Sequence, residues 1–268
     1  MYNYQLIYQV QPKNLSEMGF DPASFVLIAG PCAVENEKDI KLYAQFLLEH
    51  QIKMMRAGAF KPRTSPHTFQ GLGYEALEIL KNVKNETGIK IVTEITDYQD
   101  LPKYLEFVDI LQIGARNMQN FPLLKAVGKT DRTVILKRGF ANTVEEWLGA
   151  AEYILMEGNT NVILCERGIR TFETSTRNTL DLSSVALVKQ LTKLPVIVDP
   201  SHATGRDDLI IPLSLASAAC GADGLMVEIH ADRAHAKSDG VQALNLEQAE
   251  TLIQKIDGLL PALSKTRK

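Results

Sequence analysis

Four residues on well-separated segments carry side chains that bind first-row divalent metals: Cys32, His202, Glu228 and Asp239. One soft thiolate, one imidazole and two carboxylates would accept such an ion. No C-x-x-C or H-E-x-x-H spacing ties the four together, and spacing leaves His230 and His235 as alternative ligands. Cys32 taken alone reads as a buried core thiol, as Cys165 and Cys220 do. A second constellation is cationic. Arg56, Lys61, Arg63, Arg116, Lys137 and Arg167 could converge on one mouth and attract small polyanions such as phosphates and carboxylates. Arginine suits these because its planar fork binds two oxygens at once. The competing reading of these cations is a ring of ordinary salt bridges. Gly128-Lys129-Thr130 is not a phosphate-binding loop, because Leu123 stands where that loop needs its first glycine.

Elements that position these residues follow from the apolar runs. Eight short β-rich runs occur at 25–30, 53–58, 90–95, 109–114, 133–139, 161–168, 195–201 and 224–230. They are nearly continuous in apolar residues, as parallel strands buried on both faces require. Helical stripes stand between them. Ile40, Tyr43, Ala44 and Leu47 make one; Ala76, Ile79, Leu80 and Val83 make another, with Gly88 as its stop. Thr143 and Glu146 form a capping box ahead of Val144, Trp147, Leu148 and Ala151, and Asn245 precedes Ala249, Leu252, Ile253 and Ile256. Helices after the fourth, sixth and seventh strands are less clearly marked. Eight β/α units predict a closed (β/α)₈ TIM barrel. An open doubly wound sheet is the alternative, weakened by the lack of Gly-x-Gly-x-x-Gly after the first strand. Residues 1–24 read as an N-terminal extension that could cap the barrel's N-terminal end. Residues 25–262 read as one catalytic barrel with no separate regulatory domain, and the last five residues as a solvated, frayed end.

The net charge of −3 gives no general basic field, so nucleic acid is not an expected partner. No segment has the ~20 unbroken apolar residues of a membrane span, and the N-terminus does not read as a secretory signal. Three widely spaced cysteines do not make a disulfide framework, and reduced thiols in a cytoplasm are expected. In a barrel, chemistry gathers at the C-terminal ends of the strands. Those ends carry Cys32, Arg56, Glu94, Arg116, Lys137, Arg138, Glu166, Arg167, Asp199, His202 and Glu228.

The motifs at these ends are IAGPCAVEN (28–36), RAGAFKPRTSPHTFQGLG (56–73), QIGARNMQN (112–120), LKRG (136–139), CERGIRTFE (165–173), VDPSHATGR (198–206), LMVEIH (225–230) and SDGVQAL (238–244). With these the sequence resembles the 3-deoxy-D-arabino-heptulosonate 7-phosphate synthases, in the short subclass related to 3-deoxy-octulosonate 8-phosphate synthase. The resemblance runs in order through nearly every strand end. It implies a barrel that condenses phosphoenolpyruvate with erythrose 4-phosphate, the first step of the shikimate pathway. It implies Cys32, His202, Glu228 and Asp239 as ligands of manganese, iron, cobalt or zinc. It assigns phosphoenolpyruvate to Arg56, Lys61, Ala115, Arg116, Lys137 and Arg167, and the erythrose phosphate to Arg63, Thr64 and Ser65. Glu94 would stand near the reacting carbons, and Lys137 is a candidate proton donor.

The segment KPRTSP (61–66) favours the four-carbon sugar over the arabinose 5-phosphate of the sister enzymes, which have a KANRSS-like segment there. A non-catalytic sugar-phosphate-binding barrel would need the cations but not the metal set. The resemblance also implies a homotetramer or homodimer, and the lack of room for a fused regulatory domain predicts no direct feedback by aromatic amino acids or prephenate.

Overall fold

The structure, a computed structural model, describes residues 4–13, 15–63, 65 and 67–268. Eight parallel strands close into a barrel: β1 (Ser24–Gly30), β2 (Met54–Arg56), β3 (Lys90–Glu94), β4 (Ile110–Ile113), β5 (Thr133–Lys137), β6 (Val162–Glu166), β7 (Val196–Val198) and β8 (Gly224–Glu228). Pairing runs in order from β2 to β8, then to β1, and β1 pairs back with β2 to close the ring. The open-sheet alternative is thereby excluded. Each of the eight barrel strands falls on one of the eight predicted runs, β1 starting one residue early at Ser24.

Around the ring stand α2 (Glu37–Glu49), α3 (Tyr74–Thr87), α4 (Leu101–Leu105), α5 (Phe121–Gly128), α6 (Val144–Met156), α7 (Leu182–Leu191), α8 (Pro200–Thr204), α9 (Ile210–Ala219) and α10 (Leu246–Leu259). Both predicted caps form: the Thr143–Glu146 box starts α6 and the Asn245 side chain caps α10. Trp147 is fully buried, and its indole N–H donates to the Leu136 carbonyl at 3.1 Å. No helix is long and apolar enough to cross a membrane among the described residues.

Strand alternation sorts the side chains into two cores. Val26, Ile28, Met54, Val92, Ile110, Ile135, Ile163, Cys165, Ile197 and Met226 fill the barrel interior. The alternate residues, such as Leu27, Met55, Ile91, Leu111, Leu136 and Leu164, pack outward against the helices.

The chain ends are more ordered than the sequence predicts. Residues 15–20 do plug the N-terminal end of the barrel: Leu15 and Phe20 join the interior core, with Met18 packed against it. Residues 6–9 do something else. They form α1 (Leu6–Gln9), whose backbone N–H groups at Leu6 and Ile7, with Gln5, donate to the Glu152 carboxylate of α6 at 2.7–3.0 Å. A carboxylate borrowed from another helix thus caps a one-turn helix that has no side-chain cap of its own. The C-terminal tail is not frayed. Thr266–Arg267 forms β9, parallel to β1, and Arg267 grips Asp257 and the His50 carbonyl.

Candidate active site

The same alternation that fills the barrel also builds its mouth. Two residues beyond an inward apolar residue, the next inward position is polar: Met54 leads to Arg56, Val92 to Glu94, Ile110 to Gln112, Ile135 to Lys137, Cys165 to Arg167, Ile197 to Asp199 and Met226 to Glu228. These residues form the top layer of the barrel. Above them lies a pocket lined by Arg56, Lys61, Arg63, Glu94, Ala115, Arg116, Lys137, Arg167, His202 and Asp239 among others. All six predicted cations therefore share one mouth. Ser65 is exposed and does not line it. Thr64 lies outside the described residues.

Opposite parity sends two other strand-end residues outward. Arg138 and Glu166 face the helices, where the Arg138 guanidinium bonds Glu166 at 3.0 Å and the α7 cap residue Asp181 at 2.8 Å. Glu166 also accepts from the Gly168 N–H at 2.7 Å, which fixes the turn that carries Arg167. Both members of the Arg138–Glu166 pair are buried. Arg138→Met should cost about 3–5 kcal/mol, because it strands a buried carboxylate. A chemical-denaturation midpoint unchanged from the parent would contradict this.

Three of the four candidate metal donors meet, and the fourth, His202, stands beside one of them. Sulfur of Cys32 and carboxylate oxygens of Glu228 and Asp239 lie within 4.8 Å of one another. Cys32 Sγ donates to Asp239 Oδ2 at 3.0 Å. His202 Nε2 stands 3.3 Å from Glu228 Oε1. Its other nitrogen, Nδ1, is 2.7 Å from Asp199 Oδ2. Burial pulls the imidazole down to about 4, so it is neutral near pH 7. With Nδ1–H donating to Asp199, the Nε2 lone pair faces a carboxylate oxygen. Glu228 Oε1 is buried and makes no hydrogen bond among the described residues. Acceptors facing acceptors in a buried site fit a cation between them. Asp239 sits in the left-handed region at φ 53°, strain that the loop retains at this donor. Of the two alternative histidines, His230 pairs with Glu35 at 3.5 Å, and His235 is exposed beside Asp232.

Several of the cations border that set directly. Arg56 Nη2 lies 3.2 Å from Glu228 Oε1, while its Nε and Nη1 are buried donors with no hydrogen-bond partner among the described residues. Lys61 Nζ donates to the Cys32 carbonyl at 3.1 Å. Lys137 is buried and salt-bridged to the fully buried Asp199. Burial lowers Arg167 to about 10, which leaves it charged. Arg63 bonds Ser238 and approaches Asp239 at 3.4 Å, tying the 61–70 loop to the metal-donor loop. A side chain at Gly114 would meet Glu94 Oε1, so glycine there leaves room for the carboxylate.

Sequence reasoning missed three lining groups. Arg177 reaches the Gln242 amide oxygen at 2.8 Å, and the same amide donates to Glu228. Phe140 and Gln112 complete the wall. Gln112 was legible from strand parity; the other two lie on loops.

Acid should destabilise the metal-free protein in two stages. Unfolding restores His202 to its ordinary value near 6.5, so the unfolded chain takes up a proton first and stability falls as pH drops from 6.5 to about 4. Burial works against ionisation of Asp199, but His202 and Lys137 hold its carboxyl well below 3.8, so its contribution is lost only below that pH. A thermal midpoint that stays flat down to pH 4 would contradict the first stage.

Comparison with known proteins places this arrangement. Residues 8–262 match the DAHP synthetase I family. A phospho-2-dehydro-3-deoxyheptonate aldolase of Thermotoga maritima is 50% identical over 93% of this chain and 74% of its own length. A 2-dehydro-3-deoxyphosphooctonate aldolase of Syntrophotalea carbinolica is 32% identical over 86% of this chain and 88% of its own. The crystal structure of the Thermotoga maritima DAHP synthase superposes with a TM-score of 0.95 at 47% identity, covering 100% of this chain and 80% of that one. With the match spanning nearly every strand and the mouth above them, this chain belongs to the DAHP synthetase I family.

Proposed function

We propose that this protein condenses phosphoenolpyruvate with erythrose 4-phosphate and water, giving 3-deoxy-D-arabino-heptulosonate 7-phosphate and phosphate. The observation that carries the reading is the meeting of six cations with Cys32, Glu228 and Asp239, and with His202 beside Glu228, in one barrel mouth. Both substrates are anions, and a local cationic field offsets their repulsion. Holding them together makes the encounter effectively unimolecular.

Arg56 and Lys61 receive the phosphoenolpyruvate carboxylate; the unpaired Arg56 Nε and Nη1 donors support that role. Arg116, Arg167 and the Ala115 amide receive its phosphate, with Lys137 between the two groups. Arg63 receives the phosphate of the aldose, with Thr64 and Ser65 on the same loop. A manganese, iron, cobalt or zinc ion held by Cys32, His202, Glu228 and Asp239 would supply Lewis-acid polarisation of the aldehyde oxygen. C3 of phosphoenolpyruvate then bonds to the aldehyde carbon, and the aldehyde oxygen takes up a proton. Glu94 and Lys137 face the same space and orient the water that adds to the electrophilic C2. The C2–O bond of the resulting hemiketal phosphate breaks and phosphate leaves.

The four-carbon aldose is favoured by Pro62 and Arg63. Proline limits the loop's freedom, and Arg63 sits at the rim of the mouth on Ser238. Mass analysis of the product tests this choice. A seven-carbon keto-acid phosphate from a mixture of erythrose 4-phosphate and arabinose 5-phosphate supports it; an eight-carbon product would move the protein to the sister reaction.

A further inference from the structure

Phe140 lies three residues beyond Lys137, half-buried in the wall of the mouth. Three guanidiniums surround its ring: Arg170 at 4.7 Å from the ring centre, Arg167 at 4.8 Å and Arg116 at 5.4 Å. They come from neighbouring units, Arg116 after β4 and the other two after β6, with Phe140 after β5 between them. The loops are also tied through the backbone, since the Arg170 N–H donates to the Phe140 carbonyl at 2.6 Å. Among the described residues, no carboxylate pairs with Arg167 or Arg170. Three like charges gathered this closely repel one another, and a compact anion would be drawn to them. The negative face of an aromatic ring holds guanidiniums without neutralising their charge, and Arg167 is fixed further by donating to the Gly168 and His202 carbonyls at 3.3 and 3.0 Å. A carboxylate in the ring's place would hold the guanidiniums too, but it would cancel their field.

We propose that Phe140 is a positioning residue for phosphate: its ring gathers Arg116, Arg167 and Arg170 into one cradle for a phosphate monoester, and Arg170 thereby joins the anion contacts. The inference rests on the reading of this mouth as a phosphoenolpyruvate site, and it adds two residues outside the predicted set. A phosphate monoester is close to a dianion at neutral pH, so a cradle of three cations retains a favourable field after the ligand enters.

Calorimetric binding of phosphoenolpyruvate and, separately, of inorganic phosphate to the whole protein tests it, alongside steady-state kinetics. Phe140→Leu keeps bulk and removes the π face. It should weaken both ligands by about tenfold, the scale of losing such contacts. KM for phosphoenolpyruvate should rise by the same factor, with kcat and KM for the aldose changing far less. Phe140→Tyr should recover most of the loss, and Arg170→Gln should weaken both ligands several-fold. Unchanged binding in Phe140→Leu, or failure of tyrosine to restore it, would overturn the platform; an inert Arg170→Gln would overturn the three-cation cradle. If Phe140→Leu does not fold, Phe140→Trp and Arg170→Gln decide. A protein that binds inorganic phosphate in this Phe140-dependent way but does not consume phosphoenolpyruvate would sink the proposed reaction and leave the cradle standing.

Discussion

Lys137→Met is expected to lower kcat/KM for phosphoenolpyruvate by about 10³-fold, through two losses at once. The first is a cation in the mouth, where the proposed reaction needs charge on the substrate and a proton donor near C2. The second is electrostatic support for the metal-donor set. Lys137 is salt-bridged to Asp199, which bonds His202, whose Nε2 faces Glu228. Without Lys137 the fully buried Asp199 carboxylate keeps only the neutral His202 imidazole as a side-chain partner at contact distance among the described residues. The imidazole, lowered chiefly by burial and further by the Lys137 charge, then takes up protons at higher pH than its present value of about 4. In the metal-free protein the protonation of His202 should therefore move up in the variant. A variant with near-parental kcat/KM and an unmoved His202 titration in the metal-free protein would show that Lys137 is only a structural partner of Asp199.

Cys32→Ala is the second large effect. Burial pushes the Cys32 thiol up to about 12, with Glu228 and Asp239 adding to the shift, so without metal it is a protonated donor to Asp239. Coordination requires the thiolate, so binding expels that proton and affinity rises with pH. Cobalt titration of the parent should give one equivalent of tight binding, a sulfur-to-metal charge-transfer band and weaker binding at lower pH. The alanine variant should lose the band and about 10³-fold of the metal-dependent rate, the scale of removing several kcal/mol of charge stabilisation. Retention of both in the variant would remove sulfur from the metal set.

The barrel was legible because eight runs such as FVLIAG and TVILKRG are apolar at both parities, which only a strand covered on both faces tolerates. Less visible were α5, α7 and α9. The first has eight residues, too few turns to establish a stripe, and α9 reads IIPLSLASAA, apolar on most sides. At the site, residue types pointed to the metal set and the cations, but not to which neighbour faces inward. Lys137 and Arg138 are adjacent, as are Glu166 and Arg167; their division between mouth and helix layer follows from Ile135 and Cys165 facing the interior. That parity was available in the sequence. Which histidine stands beside Glu228 was not, because it depends on how the long loop after β8 folds back over Glu35 and Cys32. Phe140 and Arg177 sit on loops where no period marks a functional face, and the docking of the C-terminal tail onto β1 is a contact between chain ends that local pattern does not encode.

The most direct measurement follows the ultraviolet absorbance of phosphoenolpyruvate with purified protein and erythrose 4-phosphate, first in chelator and then with manganese restored. No consumption is expected in chelator, consumption once metal is added, and little with arabinose 5-phosphate under either condition. Full consumption in chelator would contradict the Cys32–His202–Glu228–Asp239 centre, and no consumption with either sugar in added metal would leave a phosphate-binding barrel in place of an enzyme.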